Sequence, residues 1–195
     1  MTPLARCTVE VEVGMSSWGP MFDELMASRY RELLAYASML TGSRAEAEDL
    51  LHDALIATFS RNRTFTHVVA AETFVRRTVA SRFIDRTRRR TVEHRVFSKL
   101  RPGRSDPAAG PELLAEHATD VERALAQLTP RERVCVTLRF IDGLPVAETA
   151  EVLGLAQGSV KRYVSDALHK LNGILGDVVA MGDDGLPLQT TVRES

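Results

Sequence analysis

The sequence predicts an all-α protein made of two small helical domains joined by a flexible linker, the second domain containing a helix-turn-helix. Apolar residues recur at helical spacing through most of the chain. A stretch rich in proline and glycine, residues 97–112, interrupts that pattern and forbids a continuous helix. Further on, Ala150, Gly154 and Val160 have the spacing of a helix-turn-helix, whose second helix lies in the DNA major groove.

The first predicted domain spans residues 21–96 and begins with an amphipathic helix. Residues 1–20 precede it as an extension that we expect to be disordered, because their alternating segment has no partner strand. Apolar residues repeat at helical spacing from Phe22 to Leu40, and Gly42 suits the left-handed conformation that ends a helix.

Two more helices complete this domain. Ser43 and Glu46 have the capping-box pattern and begin a second helix that ends near Phe59. Several carboxylates lie along one face of that helix. A third helix is predicted over residues 70–90, with an apolar buried side and an arginine-rich exposed side.

The second predicted domain covers residues 116–176 and follows a linker, residues 97–115. Thr129 and Glu132 form another capping box, with proline at the first helical position. After the helix-turn-helix, residues 177–195 form a tail without helical periodicity. The apolar faces of the two helices before the motif are predicted to include Val121, Ala124, Leu125, Leu128, Val134, Val136, Leu138 and Ile141.

Composition limits the class of protein. The two cysteines, Cys7 and Cys135, are far apart and indicate neither a disulfide framework nor a zinc site; Cys135 is expected to be a small core residue. No apolar run approaches membrane-spanning length, so we expect a cytoplasmic protein that has no membrane contact and needs no cofactor.

Charge is distributed unevenly along the chain. Residues 76–104 carry a net charge of +9, whereas the whole chain has a formal net charge of −1, so the remainder carries −10. Such a division indicates a polyanion-binding surface in one block and a different contact elsewhere.

Three motifs in this order resemble the extracytoplasmic-function subfamily of the sigma-70 family of bacterial RNA polymerase sigma factors. They are EDLLHDALIATF (Glu48–Phe59), FVRRTVASRFIDRTRRR (Phe74–Arg90) and LTPRERVCVTLRFIDGLPVAETAEVLGLAQGSVKR (Leu128–Arg162). The resemblance covers about residues 22–175. It implies a first domain that binds core polymerase and melts promoter DNA, and a second that reads an upstream promoter element.

The resemblance assigns the acidic helix to polymerase docking. The implied interface residues are Asp49, Leu50, His52 and Asp53. Carboxylates beside leucines suit a polar rim around an apolar contact. A solvated face is the ordinary alternative, and an enzyme using Glu46, Asp49, His52 and Asp53 as metal ligands or as an acid–base pair is a third.

The resemblance assigns the basic helix to DNA melting. Its arginines would repel one another without an anion, which favours contacts with the DNA backbone. The expected residues of this melting helix are Ser81, Arg82, Arg86, Arg88, Arg89 and Arg90, with Ser81 at the position where the family often has asparagine.

The second helix of the helix-turn-helix is the expected reading element. Base-edge contacts come from the first turns of such a helix, and lysine or arginine there can reach phosphate or guanine. The candidates are Gln157, Ser159, Lys161, Arg162 and Tyr163, where Tyr163 replaces a common arginine of the family.

Core RNA polymerase and promoter DNA are therefore the expected partners, and no catalysis is expected of the chain itself. Many family members are held inactive by an anti-sigma factor, but no residue here identifies one. An autonomous helix-turn-helix regulator is the competing hypothesis. Such regulators usually bind DNA as two-fold dimers, and no dimerisation helix is evident.

Overall fold

The computed structural model describes residues 19–60, 63–100 and 119–175, and every regular element in these ranges is a helix. The prediction of an all-α protein with two helical domains is confirmed. The predictions for Cys7, for most of the extension and linker, and for the tail lie outside the described residues.

The first domain contains α1 (Gly19–Thr41), α2 (Arg44–Phe59) and α3 (Val68–Leu100), which pack against one another. The glycine after α1, Gly42, has φ of 76°, as predicted for a left-handed helix end. α3 extends ten residues beyond its predicted end, so the first four residues of the expected linker, 97–100, are helical.

The capping box predicted at the start of α2 is absent. Ser43 occupies the N-cap position, but its side chain makes no capping hydrogen bond. The carboxylate of Glu46 instead accepts a hydrogen bond from Arg90 on α3, at 2.7 Å. A tertiary ion pair has therefore replaced the local interaction that the sequence pattern indicates.

The second domain contains α4 (Asp120–Ala126), α5 (Pro130–Val136), a π-helical turn (Thr137–Ile141), α6 (Val146–Leu153) and α7 (Gln157–Leu175). Both α4 and α5 begin with complete capping boxes, which confirms the one predicted before α5. α6 and α7 form the predicted helix-turn-helix. Its turn contains Gly154 with φ of 59°, and its joint buries Ala150 and Val160.

Two residues predicted to face the core of the second domain are exposed. Val121 on α4 has 53% of its surface exposed and Ile141 has 42%. In the π turn, the Asp142 N–H donates to the carbonyl of Thr137, five residues back. The wider turn breaks the 3.6-residue period on which the prediction for Ile141 depended, and turns that side chain outward.

The two domains pack together over a continuous core that contains buried residues of α1, α2, α3, α5, α6 and α7. Cys135 belongs to it, as predicted, and burial raises the pKa of its thiol to about 12. Phe83, on the predicted apolar side of α3, is also buried in this core. The sequence contained no evident signal of contact between the domains.

Hydrogen bonds and ion pairs cross this interdomain seam. Tyr36 of α1 is 1% exposed, and its hydroxyl donates to the Asp142 carboxylate at 2.7 Å. Arg76 of α3 pairs with the same carboxylate at 3.3 Å, and Arg77 pairs with Glu148 of α6 at 3.0 Å. The seam thus joins α1 and α3 to the first part of the helix-turn-helix.

Candidate nucleic-acid interface and docking groove

An apolar groove runs between α1 and α2 on the surface of the first domain. Its volume is about 880 Å³. Phe22 and Phe59 meet edge to face inside it, with ring centroids 5.3 Å apart. We call it the docking groove, and its lining residues are Phe22, Met26, Tyr30, Glu48, Asp49, Leu51, His52, Leu55, Ile56, Phe59 and Ser60.

The predicted docking residues of α2 fall into three different environments. Asp49 and His52 are exposed at the groove, as a binding rim requires. Asp53 is exposed, but it does not line the docking groove and instead faces α3. Leu50 is fully buried, so its side chain offers no surface to a partner, which corrects its predicted interface role. Ile56, 54% exposed and on the groove, provides the apolar surface instead.

Three of the predicted melting-helix arginines already have carboxylate partners. Arg86 pairs with Asp53 at 2.5 Å and also donates to the Asp49 carbonyl. Arg90 pairs with Glu46 at 2.7 Å, and Arg88 lies 3.7 Å from the Asp85 carboxylate. The repulsion expected among these arginines is therefore reduced by anions of the same chain, two of them on α2.

Arg82 and Arg89 differ from these three. Both are exposed on α3, and no described carboxylate lies within ion-pair distance of either guanidinium. Ser81 is half-buried on the same helix. Of the five predicted arginines, these two are the best placed to meet an external phosphate without first breaking an ion pair.

The first turns of α7 are open to solvent. Gln157, Lys161 and Arg162 are exposed, while Ser159 and Tyr163 are half-buried. The opposite face of α7 buries Val160, Val164, Ala167 and Leu168 in the core. Of the predicted reading residues, Gln157, Lys161 and Arg162 are therefore open to a partner in the first turns of α7, where contacts to a major groove are made, and Ser159 and Tyr163 are partly covered.

A residue outside the helix-turn-helix joins this face. Arg131, at the start of α5, donates through Nη1 to the hydroxyl of Tyr163 at 2.8 Å. This hydrogen bond lowers the pKa of Tyr163. Arg131 was not predicted as a site residue. The sequence shows only that it lies within the capping box of α5, where a side chain is expected to be exposed.

The described ranges, residues 19–60, 63–100 and 119–175, lack both a metal-binding cluster and a membrane-spanning helix. Within them, no three His, Cys, Asp or Glu side chains lie close enough together to hold a metal ion. No helix in the same ranges combines the length and the apolar character that crossing a membrane requires.

Family models match the chain on both sides of the linker. The model described as sigma-70 region 2 matches residues 25–92, which contain most of α3 and every lining residue of the docking groove except Phe22. The model described as sigma-70, region 4 matches residues 118–171, which contain α4, α5, α6 and most of α7. RNA polymerase sigma-E factor of Streptomyces coelicolor is 30% identical over 173 residues, covering 89% of this chain and 94% of the relative.

The chain belongs to the extracytoplasmic-function sigma factors of the sigma-70 family. Sigma factors direct RNA polymerase to promoters and catalyse no reaction themselves. The ECF RNA polymerase sigma factor SigM of Mycobacterium tuberculosis is 29% identical over 159 residues, covering 80% of this chain and 77% of the relative.

A solved structure of another sigma factor has a similar fold. The sigma factor RpoE of Bartonella quintana, crystallised with the anti-sigma factor NepR, has a TM-score of 0.55 with this sigma factor. The match is 23% identical and covers 79% of this chain and 96% of that one. At this identity the likeness supports the helical fold alone.

Proposed function

We propose that this sigma factor docks on core RNA polymerase through the docking groove, reads an upstream promoter element with α7 and holds opened DNA on α3. The observation that carries the proposal is that an apolar groove with an acidic rim has all its lining residues but Phe22 within the region 2 match. A separate exposed basic helix face lies inside the region 4 match.

The chemistry of the docking groove suits a helical partner with basic side chains. Its floor is aromatic and aliphatic, and Ile56 extends the apolar surface to the rim. Glu48 and Asp49 supply negative charge beside that floor, and His52 adds a polar group. An apolar centre with a charged rim is the usual anatomy of a protein interface.

The proposed reading surface is electrostatically suited to DNA. Lys161 and Arg162 project from the second turn of α7, and neither has a carboxylate partner among the described residues. Gln157 and Ser159, one turn earlier, offer donors and acceptors to base edges. Phosphate contacts would orient the helix, while the polar side chains would discriminate among base pairs.

On α3 we propose a graded role for the basic side chains. Arg82 and Arg89 would contact the DNA backbone directly. Arg86, Arg88 and Arg90 would contact it only after exchanging a carboxylate for a phosphate. The half-buried Ser81 remains the proposed polar contact near the opened base.

These partners imply a place and a further interaction. Because bacterial promoters and RNA polymerase are in the cytoplasm, we propose that the sigma factor acts there. The RpoE structure is a complex with an anti-sigma factor, and an inhibitor of that class is the third partner that we propose.

The test is co-purification of the full chain with core RNA polymerase in the absence of DNA. A stoichiometric complex is expected, and Asp49→Ala combined with Asp53→Ala should weaken it. Ile56→Ala should weaken it as well, because it removes exposed apolar surface from the groove. Glu151→Ala, which removes an exposed carboxylate from α6, is the matched control and should have no effect.

The outcome also separates the hypotheses. If the double variant lost DNA affinity and polymerase binding equally, the assignment of α2 to docking would be wrong. If the unaltered chain formed no complex, an autonomous DNA-binding regulator would become the better description, and a two-fold dimer in solution would then be expected.

A further inference from the structure

Tyr163, on the outward face of α7, lies between two guanidinium groups. Arg131 reaches across from α5, and its Nη1 donates to the Tyr163 hydroxyl at 2.8 Å. The central guanidinium carbon of Arg131 lies 5.8 Å from the ring centroid, and that of Arg162 lies 5.3 Å from it. Three side chains from two helices therefore form one cluster, which we call the arginine clamp.

The clamp has two positive charges and no counterion within the described chain. Neither Arg131 nor Arg162 forms an ion pair with a described carboxylate. The nearest carboxylate in sequence, Glu132, is buried and is engaged by Lys170, whose Nζ lies 2.8 Å from both of its oxygens. Two guanidiniums beside one phenol, with no anion between them, form a site for an external anion.

Hydrogen-bonding capacity specifies what kind of anion fits. A tyrosine hydroxyl has one hydrogen to donate, and here its oxygen already accepts from Arg131. The hydroxyl hydrogen is therefore left for an outside acceptor. Guanidinium groups only donate, so the clamp as a whole presents donors. A phosphodiester, with negative charge and acceptor oxygens that match a guanidinium fork, is the complementary group in DNA.

The position of the clamp relates it to the reading helix. Arg162 and Tyr163 directly follow Lys161, and Arg131 at the start of α5 extends the basic surface beyond the helix-turn-helix. Contacts to phosphates beside the groove set the register of a reading helix, whereas base contacts provide sequence discrimination.

We propose that Arg131, Arg162 and Tyr163 together bind one backbone phosphate of promoter DNA, and that Arg131 is a DNA-contact residue of this sigma factor. The proposal rests on the proposed function of α7 as the reading helix. It assigns a backbone role to Tyr163, one of the residues expected to read bases. It also predicts that the tyrosine hydroxyl, and not only its ring, contributes to DNA affinity.

The test measures binding of a fluorescently labelled 30-base-pair duplex by anisotropy, across a series of salt concentrations. The full chain is used alone and in complex with core polymerase. Arg131→Ala should lower the affinity for all DNA sequences. It should also reduce the steepness of log K, the association constant, against log salt concentration by about 1, the value for one lost phosphate contact. Tyr163→Phe should lower affinity about threefold without changing that slope, because it removes a hydrogen bond but no charge.

Arg123→Ala is the matched control, because it removes an exposed arginine of α4 that already pairs with Asp120. It should leave both affinity and slope unchanged. Thermal unfolding followed by circular dichroism should show that all variants remain folded, since Arg131 is exposed and Tyr163→Phe keeps the ring.

Lys161→Ala separates failure of the clamp from failure of the reading helix. Loss of affinity in Lys161→Ala with an unchanged slope in Arg131→Ala would overturn the clamp and leave α7 as the reader. Unchanged binding in both variants would overturn the clamp and the proposed reading function together. Absence of DNA binding, both by the chain alone and by its polymerase complex, would have the same meaning.

Discussion

The arginines of α3 and the basic residues around α7 have opposite electrostatic surroundings. On α3, Arg86 and Arg90 pair with carboxylates of α2. Around α7, Lys161 and Arg162 face solvent with no described carboxylate partner. Both surfaces are proposed to contact DNA, yet Arg86 and Arg90 of α3 must first release an internal carboxylate, whereas Lys161 and Arg162 of α7 present their charges directly.

The difference shows that a count of positive residues does not measure the ability to bind an anion. The block of +9 marks α3 as the more basic segment. Exposed ion pairs contribute at most about 1 kcal/mol each, so a DNA phosphate can displace the carboxylates of α2. Because Asp53 and Glu46 belong to the helix proposed to dock on polymerase, the charges of the docking and melting surfaces depend on each other.

The largest expected effect is at the seam, where pairing is most buried. Asp142→Ala should lower the free energy of unfolding by about 2 kcal/mol, because it leaves the buried Tyr36 hydroxyl without its acceptor. Urea unfolding monitored by circular dichroism measures this effect. Asp166→Ala, at an exposed position of α7, is the control and should change stability little. Equal stability of the two variants would show that the seam does not hold the domains together.

The next largest effect is expected on α7, whose basic residues have no described carboxylate partner. Replacing Lys161 and Arg162 by alanine should reduce discrimination between promoter and non-promoter DNA about tenfold, because it removes a base contact of Lys161 worth about 1–3 kcal/mol and the phosphate contact by which Arg162 sets the register of α7. Transcription from competing templates by the reconstituted polymerase measures this ratio. His169→Ala, further along α7, is the control. Retained selectivity in the double variant would place the reading surface elsewhere, and polymerase binding should not change.

A smaller effect is expected from breaking one of the ion pairs of α3, that between Arg86 and Asp53. Asp53→Asn removes the ion-pair partner of Arg86 and should tighten non-specific DNA binding at low salt by up to about fivefold. Glu32→Gln, an exposed change on α1, removes the same charge without releasing an arginine. Anisotropy titrations of both variants separate local release from a change in net charge. If both variants tightened binding equally, the ion pair would have no specific role.

The smallest expected effect concerns the ion pair of the second domain, between Glu132 and Lys170. Burial raises the pKa of Glu132, but hydrogen bonds from Lys170 and Thr129 outweigh it, so the pKa is lowered overall. The folded chain therefore binds fewer protons than the unfolded chain just below the ordinary glutamate pKa. The stabilisation is complete above about pH 4.3 and is lost as pH falls through the lowered value.

Glu132→Gln should accordingly flatten the acid side of the stability curve, measured by urea unfolding between neutral pH and pH 3. Glu122→Gln is the control, because Glu122 is the capping-box carboxylate of α4 and pairs with no lysine among the described residues. A curve for Glu132→Gln that still fell as steeply in acid would assign the acid sensitivity to other carboxylates.

Several features followed from short stretches of sequence. The helices of both domains, the left-handed Gly42, the capping box of α5 and the helix-turn-helix with Gly154 in its turn were all predicted and are present. Each depends on interactions among residues a few positions apart, such as backbone hydrogen bonds and caps. Local chemistry is sufficient to specify them.

Other features required the tertiary arrangement. The partners Tyr36 and Asp142 are 106 positions apart, and Arg86 and Asp53 are 33 apart. Nothing in the sequence around one residue of such a pair indicates its distant partner. The interdomain seam and the ion pairs between the arginines of α3 and the carboxylates of α2 were therefore not predicted. Leu50 was expected at an interface but lies in the core, since the packing of α1 and α3 on α2 decides which leucines remain exposed.

The same distinction applies to the candidate sites. Helical spacing predicted that Lys161 and Arg162 are exposed, and the family resemblance proposed Asp49 for docking; all three are exposed, because the periodicity of an amphipathic helix indicates its outward face. Only the packing of α5 on α7 brought Arg131 to Tyr163, and only the packing of α1 on α2 formed the docking groove. A helix can specify its own exposed face, but the neighbours of that face depend on how distant helices pack.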